Sequence, residues 1–140
     1  MHTFKSLVAI LGIAVLPGLC GVSLAADKPG VVIQVSENNP AVWNLALNNA
    51  RNVQQELGNG NVDVEIVAYG PGIQMLKWES EVASRVKEAY EDGVTISACG
   101  NTMKAQKLTD KDLEPHVKVV KAGVIEIMAR QREGWSYVRP

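Results

Sequence analysis

The chain has 140 residues, a formal net charge of −1 and balanced charges of 14 Lys+Arg against 15 Asp+Glu. That size suits one small domain with a core of its own. Interspersed charges of both signs exclude the basic footprint of a nucleic-acid-binding or anionic-membrane-binding protein.

The first residues read as an export signal. His2 and Lys5 give a short positive start, Leu7 to Leu16 an apolar run, and Pro17-Gly18 a break. Small residues follow, with Ser23 and Ala25 at the −3 and −1 places for cleavage after Ala25. The apolar run is too short and too interrupted for a good spanning helix. Residues 1–25 are therefore expected to be a signal peptide and 26–140 the mature domain, periplasmic or secreted, with no membrane attachment after cleavage. Cys20 follows Leu19, where a lipid-modified cysteine wants a small residue, so it is read as part of the discarded peptide. Loss of Lys5 leaves 13 Lys+Arg against 15 Asp+Glu, a balance of −2. One cysteine then remains, Cys99, and a single cysteine closes no internal disulfide.

Asp27 to Gly30 is a loose leader. Val31 to Val35 is a β-branched run of the kind buried on both faces of a parallel sheet. Asn39 caps a helix with Pro40 at its first position. The helix spans about Ala41 to Leu57, with Trp43, Ala46, Leu47, Ala50, Val53 and Leu57 on one face. Its amides Asn44, Asn48, Asn49 and Asn52 read as a solvated face. Val62 to Tyr69 forms a second strand, and Gly70-Pro71-Gly72 turns at once. Ile73 to Trp78 is a short helical piece. Ser80 to Glu91 is a helix with Val82, Val86, Ala89 and Tyr90 inward, stopped by Asp92-Gly93. Val94 to Ala98 is the third strand, ending at Cys99-Gly100-Asn101-Thr102, and Met103 to Lys107 a short helix. Thr109 to Asp112 resembles a capping box. Val117 to Val120 is a fourth strand, Val124 to Arg132 a helix, and Trp135 to Val138 a fifth, edge strand, with Trp135 and Tyr137 candidates for a subunit contact.

Strand and helix alternate throughout, which implies an α/β fold: a single domain with a mostly parallel sheet and helices on both faces. In such folds the site lies beyond the carboxyl ends of the strands. That rule gathers Asn38, Asn39, Tyr69, Gly70, Gly72, Cys99, Gly100, Asn101, Thr102 and Lys121 to Gly123 on one rim. Cys99 is the candidate nucleophile, with the N–H groups of Gly100, Asn101 and Thr102 expected around its sulfur, lowering its pKa. The alternative is a buried, inert cysteine. His116, the lone mature histidine, builds no histidine-cluster metal site, and it opens the fourth strand at the end opposite Cys99. Gly70-Pro71-Gly72 lacks the spacing of a nucleotide loop. No cofactor and no metal are expected.

Four segments together resemble a known family. They are Trp43-Asn44-Leu45-Ala46-Leu47-Asn48-Asn49-Ala50, Val67-Ala68-Tyr69-Gly70-Pro71-Gly72, Ala98-Cys99-Gly100-Asn101-Thr102-Met103 and Gly134-Trp135-Ser136-Tyr137-Val138-Arg139-Pro140. They are similar to the DsrE/DsrF-like family. The resemblance implies a parallel sheet of about five strands, in agreement with the periodicity. It implies homo-oligomers, often trimers or hexamers, and in the best-known members sulfur relay. There a cysteine at the place of Cys99 takes a sulfane sulfur as a persulfide and passes it to a thiol acceptor. The leader departs from the cytoplasmic members, so their partners do not carry over. Three readings stand: a periplasmic sulfur carrier or sulfurtransferase, a non-enzymatic oligomeric binding module with an inert cysteine, and a redox-reactive thiol.

The Ser-Leu-Ala-Ala stretch predicts a mature amino terminus at Ala26 or Asp27. Amino-terminal sequencing of exported protein checks this; a lipidated Cys20 start would overturn it.

Overall fold

The computed structural model describes residues 28–140; the expected signal peptide and Cys20 lie outside them. Five strands form one sheet: β1 (Gly30–Val35), β2 (Asp63–Ala68), β3 (Thr95–Cys99), β4 (Lys118–Val120) and β5 (Ser136–Val138). Every pairing is parallel and the order is β4-β3-β2-β1-β5. Between them run α1 (Pro40–Leu57), α2 (Ala83–Glu91), α3 (Gly100–Ala105) and α4 (Gly123–Arg132), with 3₁₀ segments at Gly70–Leu76 and Asp110–Asp112. The elements expected from periodicity are all present, with ends moved by one to three residues.

Alternation along the strands sorts the side chains. Register sets Ile33 beside Ile66 and Ile66 beside Ile96. These three are buried with Trp43, Ala46, Leu47 and Ala50 of α1, Val86 of α2 and Met103 of α3. Each such aliphatic side chain contributes roughly 1.5–3 kcal/mol on burial. The first face of the sheet therefore carries α1, α2 and α3. The intervening residues Val32, Glu65, Val67 and Ser97 point to the second face, where α4 packs through Ile127 against Val32 and Val67.

That second face is unusual in being polar where it is most buried. Glu65 and Ser97 are both 0% exposed. Ser97 donates to Glu65 Oε1 at 2.5 Å, and Arg130 Nε of α4 donates to Glu65 Oε2 at 2.5 Å. Arg130 also pairs with Glu126 on its own helix and with Glu133 just beyond its end, and lies 4.7 Å over the Trp135 ring. Among the described residues no buried side-chain polar atom lacks a partner.

Three details differ from the sequence expectation. Leu57 is exposed at the last turn of α1; the inner stripe instead runs Trp43, Ala46, Leu47, Ala50, Gln54. Gln54 is satisfied by donating to the Asp92 carbonyl at 2.8 Å. Tyr90 is not inward: it is exposed and stacks on His116, with ring centroids 4.4 Å apart. Asn44 and Asn48 do not simply face water, because both accept from the Arg85 guanidinium of α2 and clamp the two helices.

The buried pair yields a stability prediction. Arg130→Met leaves the buried Glu65 carboxyl without its guanidinium partner, and should cost about 3–5 kcal/mol. Glu65→Leu combined with Arg130→Met should recover most of that loss. Urea unfolding of the two variants reads the difference.

Candidate functional site

Cys99 is the last residue of β3 and the residue before α3. Strands β3 and β4 lie side by side, yet their outgoing helices part. Met103 carries α3 into the first-face core, and Ile127 anchors α4 on the second face. Adjacent strands whose connections go to opposite faces open a crevice at their carboxyl ends, which is where α/β folds place ligands. Cys99 stands at that point, and the first residue of α4, Gly123, comes back against it.

Opposing forces act on the thiol. Burial, with Cys99 only 6% exposed, favours the neutral form and pushes its pKa up. Against this, the Thr102 hydroxyl and the backbone N–H groups of Gly123, Thr102 and Asn101 face the sulfur and favour the thiolate. The donors win, and the thiol lies below its ordinary value. Thr102 Oγ1 accepts from the Gly70 N–H at 2.9 Å, which fixes this side chain beside Cys99. Because the folded pKa is lower than the unfolded one, the shift adds stability as pH rises through the folded value and is complete above the unfolded value.

The residues expected on the rim have separate fates. Asn101 and Thr102 follow Cys99 in the first turn of α3 and lower its pKa. Gly100 serves close packing; a Cβ there would lie 3.0 Å from the Val120 carbonyl, so this glycine lets α3 start tight against the end of β4. Gly70 supports Thr102 through its N–H and adopts a φ of +52°, which favours glycine. At Gly72 a Cβ would come within 2.3 Å of the Val35 carbonyl, so close backbone packing is its role. Asn38 and Asn39 serve α1: Asn39 caps it by accepting from the Ala41 N–H at 3.0 Å, and Asn38 lines a groove with Pro40, Trp43, Gln74 and Lys77. Trp135 packs within its own chain, over Gly30 and under Arg130. His116 precedes β4, at the end of the sheet remote from Cys99.

Tyr69 is half-buried beside this centre, and its ring lies against Gly123, where a Cβ would meet the ring at 3.2 Å. Its phenol is raised above the ordinary value, first by burial and then by the neighbouring Tyr137, so it stays protonated. The direct donor role of Gly123 was hidden in the sequence. Only the topology, which brings α4 back over β3, reveals it. Among the described residues no group of three His, Cys, Asp or Glu side chains is placed to hold a metal, and no helix is long and apolar enough to cross a membrane.

A family model described as the DsrE/DsrF-like family matches residues 30–140. No curated protein matches the chain. Among solved structures, a protein of unknown function from Methanobacterium thermoautotrophicum is 38% identical with a TM-score of 0.76, over 80% of this chain and 99% of that one. A conserved protein of unknown function from Bacteroides thetaiotaomicron shares the fold at 17% identity and TM-score 0.67, covering 84% and 99% of the two chains. The ychN protein from E. coli does so at 10% identity and TM-score 0.62, covering 81% and 99%.

Thr102→Val removes the hydroxyl donor while keeping the side chain's volume. The midpoint of Cys99 alkylation against pH should rise by about one unit, because the thiolate loses one of its charge-stabilising hydrogen bonds. An unchanged midpoint would show that Thr102 does not act on the sulfur.

Proposed function

Since the chain belongs to the DsrE/DsrF-like family, we propose that it is an exported sulfur carrier that holds sulfane sulfur as a persulfide on Cys99. The observation that supports the reading is the place of Cys99 at the carboxyl end of β3, where the helices that follow β3 and β4 diverge, with Thr102, Asn101 and Gly123 lowering the pKa of its thiol. A buried inert cysteine needs no such donors. The leader-like residues 1–25 support export, and the apolar side chains left exposed on α4, Val124, Ile125 and Met128, support assembly into a homo-oligomer.

The chemistry needs no cofactor. The Cys99 thiolate attacks the outer sulfur of a donor R–S–SH. The new bond is Cys99 Sγ–S, the donor S–S bond breaks, and its electron pair leaves on R–S⁻. The proton stays on the transferred sulfur, giving Cys99–S–SH, and no net oxidation occurs. An acceptor thiolate then attacks the outer sulfur in the same way and returns Cys99 as thiolate. A lowered thiol pKa raises the fraction competent for the first step and makes Cys99 a better leaving group in the second.

Incubation of the protein with inorganic polysulfide, followed by mass spectrometry, should show an added mass of about 32 Da per transferred sulfur, the signature of persulfidation. Cys99→Ser should abolish the addition and leave assembly intact. A wild-type protein that never gains this mass would overturn the carrier reading in favour of a binding module.

A further inference from the structure

Helix α4 meets the sheet along one stripe. Gly123, Ile127 and Arg130 recur at i, i+4 and i+7, and Gly123 and Ile127 are the buried residues of the helix. Its amino end lies next to Cys99. By strand alternation Cys99 shares a face with Ser97, the face that α4 covers. Val67 is the register partner of Ser97, so Tyr69, two residues on, comes beside Cys99. Gly123 rests on both: a Cβ there would meet Tyr69 Cβ at 3.1 Å and Val67 Cγ1 at 3.2 Å. Ala122 offers no side-chain cap, so the first N–H groups of α4 have no side-chain acceptor of their own. The Gly123 N–H is among the groups that favour the Cys99 thiolate.

The contact that holds this end in place is two helical turns, about 10 Å, away. Ile127 meets Val32 and Val67 through apolar contact, which is non-directional and does not by itself stop a helix from sliding. Arg130 makes the directional contact. Its Nε donates to Glu65 Oε2, and Ser97 holds the other carboxylate oxygen. Its Nη1 is engaged by Glu133 and its Nη2 by Glu126, so all three guanidinium nitrogens are committed. Charge-assisted bonds of this kind fix geometry as well as energy. Glu65 pairs in register with Thr95, four residues before Cys99, so it acts through the helix and not on the sulfur.

We propose that Arg130 and Glu65 are positioning residues for Cys99: their ion pair sets where α4 lies along the strands and so keeps the Gly123 N–H at the sulfur. This inference deepens the persulfide reading by naming what positions its nucleophile. The other titratable groups on the elements around the thiol are Tyr69 at the end of β2, Lys104 in α3, Lys121 after β4 and Glu126 in α4.

Glu65→Leu combined with Arg130→Met removes one charge of each sign and leaves those four groups in place. In the domain of residues 26–140, alkylation of Cys99 against pH should show the midpoint of this double variant raised by about one unit, a tenfold loss of thiolate at fixed pH. Its stability to urea should stay near that of the wild type, which separates placement from stability. Glu65→Gln keeps the shape, weakens the pair and should raise the midpoint by a smaller amount. Both rises should persist in 1 M salt, where charges are screened beyond about 3 Å, because they come from a displaced donor and not from a lost charge. A wild-type midpoint in either folded variant, or a rise that salt abolishes, would overturn the inference and leave the carrier reading standing. A wild-type protein that takes up no sulfur from inorganic polysulfide would overturn the carrier reading, while a raised midpoint in the double variant would still support the positioning.

Discussion

The ion pair between Arg130 and the fully buried Glu65 holds the one described helix that covers the second face of the sheet. Glu65 sits in mid-strand, hydrogen-bonded by Ser97 from the neighbouring strand and by Arg130 from α4. Few apolar residues hold that helix, since Ile127 alone of its long side chains is buried. The pair therefore fixes where α4 lies along the strands. Its position decides where Gly123 arrives, and Gly123 brings both a backbone donor to Cys99 and a surface on which the Tyr69 ring rests. A buried ion pair is weak evidence for stability, because desolvation offsets much of the attraction. Its value here is placement.

Burial and hydrogen bonding compete at Cys99, and the balance defines the site. A shielded thiol without donors is inert, and an exposed thiol is open to any oxidant. Cys99 combines near-complete burial with converging donors. Such a thiol has its anion favoured while access stays restricted, a balance in keeping with the proposed carrier role. The strand order makes this arrangement possible: β4 hands its helix to the far side, so donors reach the sulfur from both α3 and α4.

Much of this was legible in the sequence, for identifiable reasons. Val62, Val64, Ile66 and Ala68 alternate with a period of two, and all four reach the first-face core. Asn39-Pro40 announced the start of α1, and the cap bond is present. Cys99 was legible because a strand run stops on it and a glycine follows. What stayed hidden depends on contacts distant in sequence. The rim rule gathered Gly123 with Cys99 but did not reveal its effect on the thiol, and the hydrogen bond from Tyr137 to Gln34 joins residues 103 positions apart. Tyr90 and Leu57 fit the helical period but lie where no neighbouring element covers them, since periodicity states which side a residue faces and not how far the core extends.

The central claim is that the donors around Cys99 outweigh its burial. The most direct measurement is the rate of alkylation of the wild-type domain, residues 26–140, as a function of pH, read at Cys99. The account predicts a sigmoid with its midpoint below the free-thiol value of about 8.5 and full reactivity of the thiolate above it. A rate that stays negligible until strongly alkaline pH would contradict it, and would mark Cys99 as a buried structural residue.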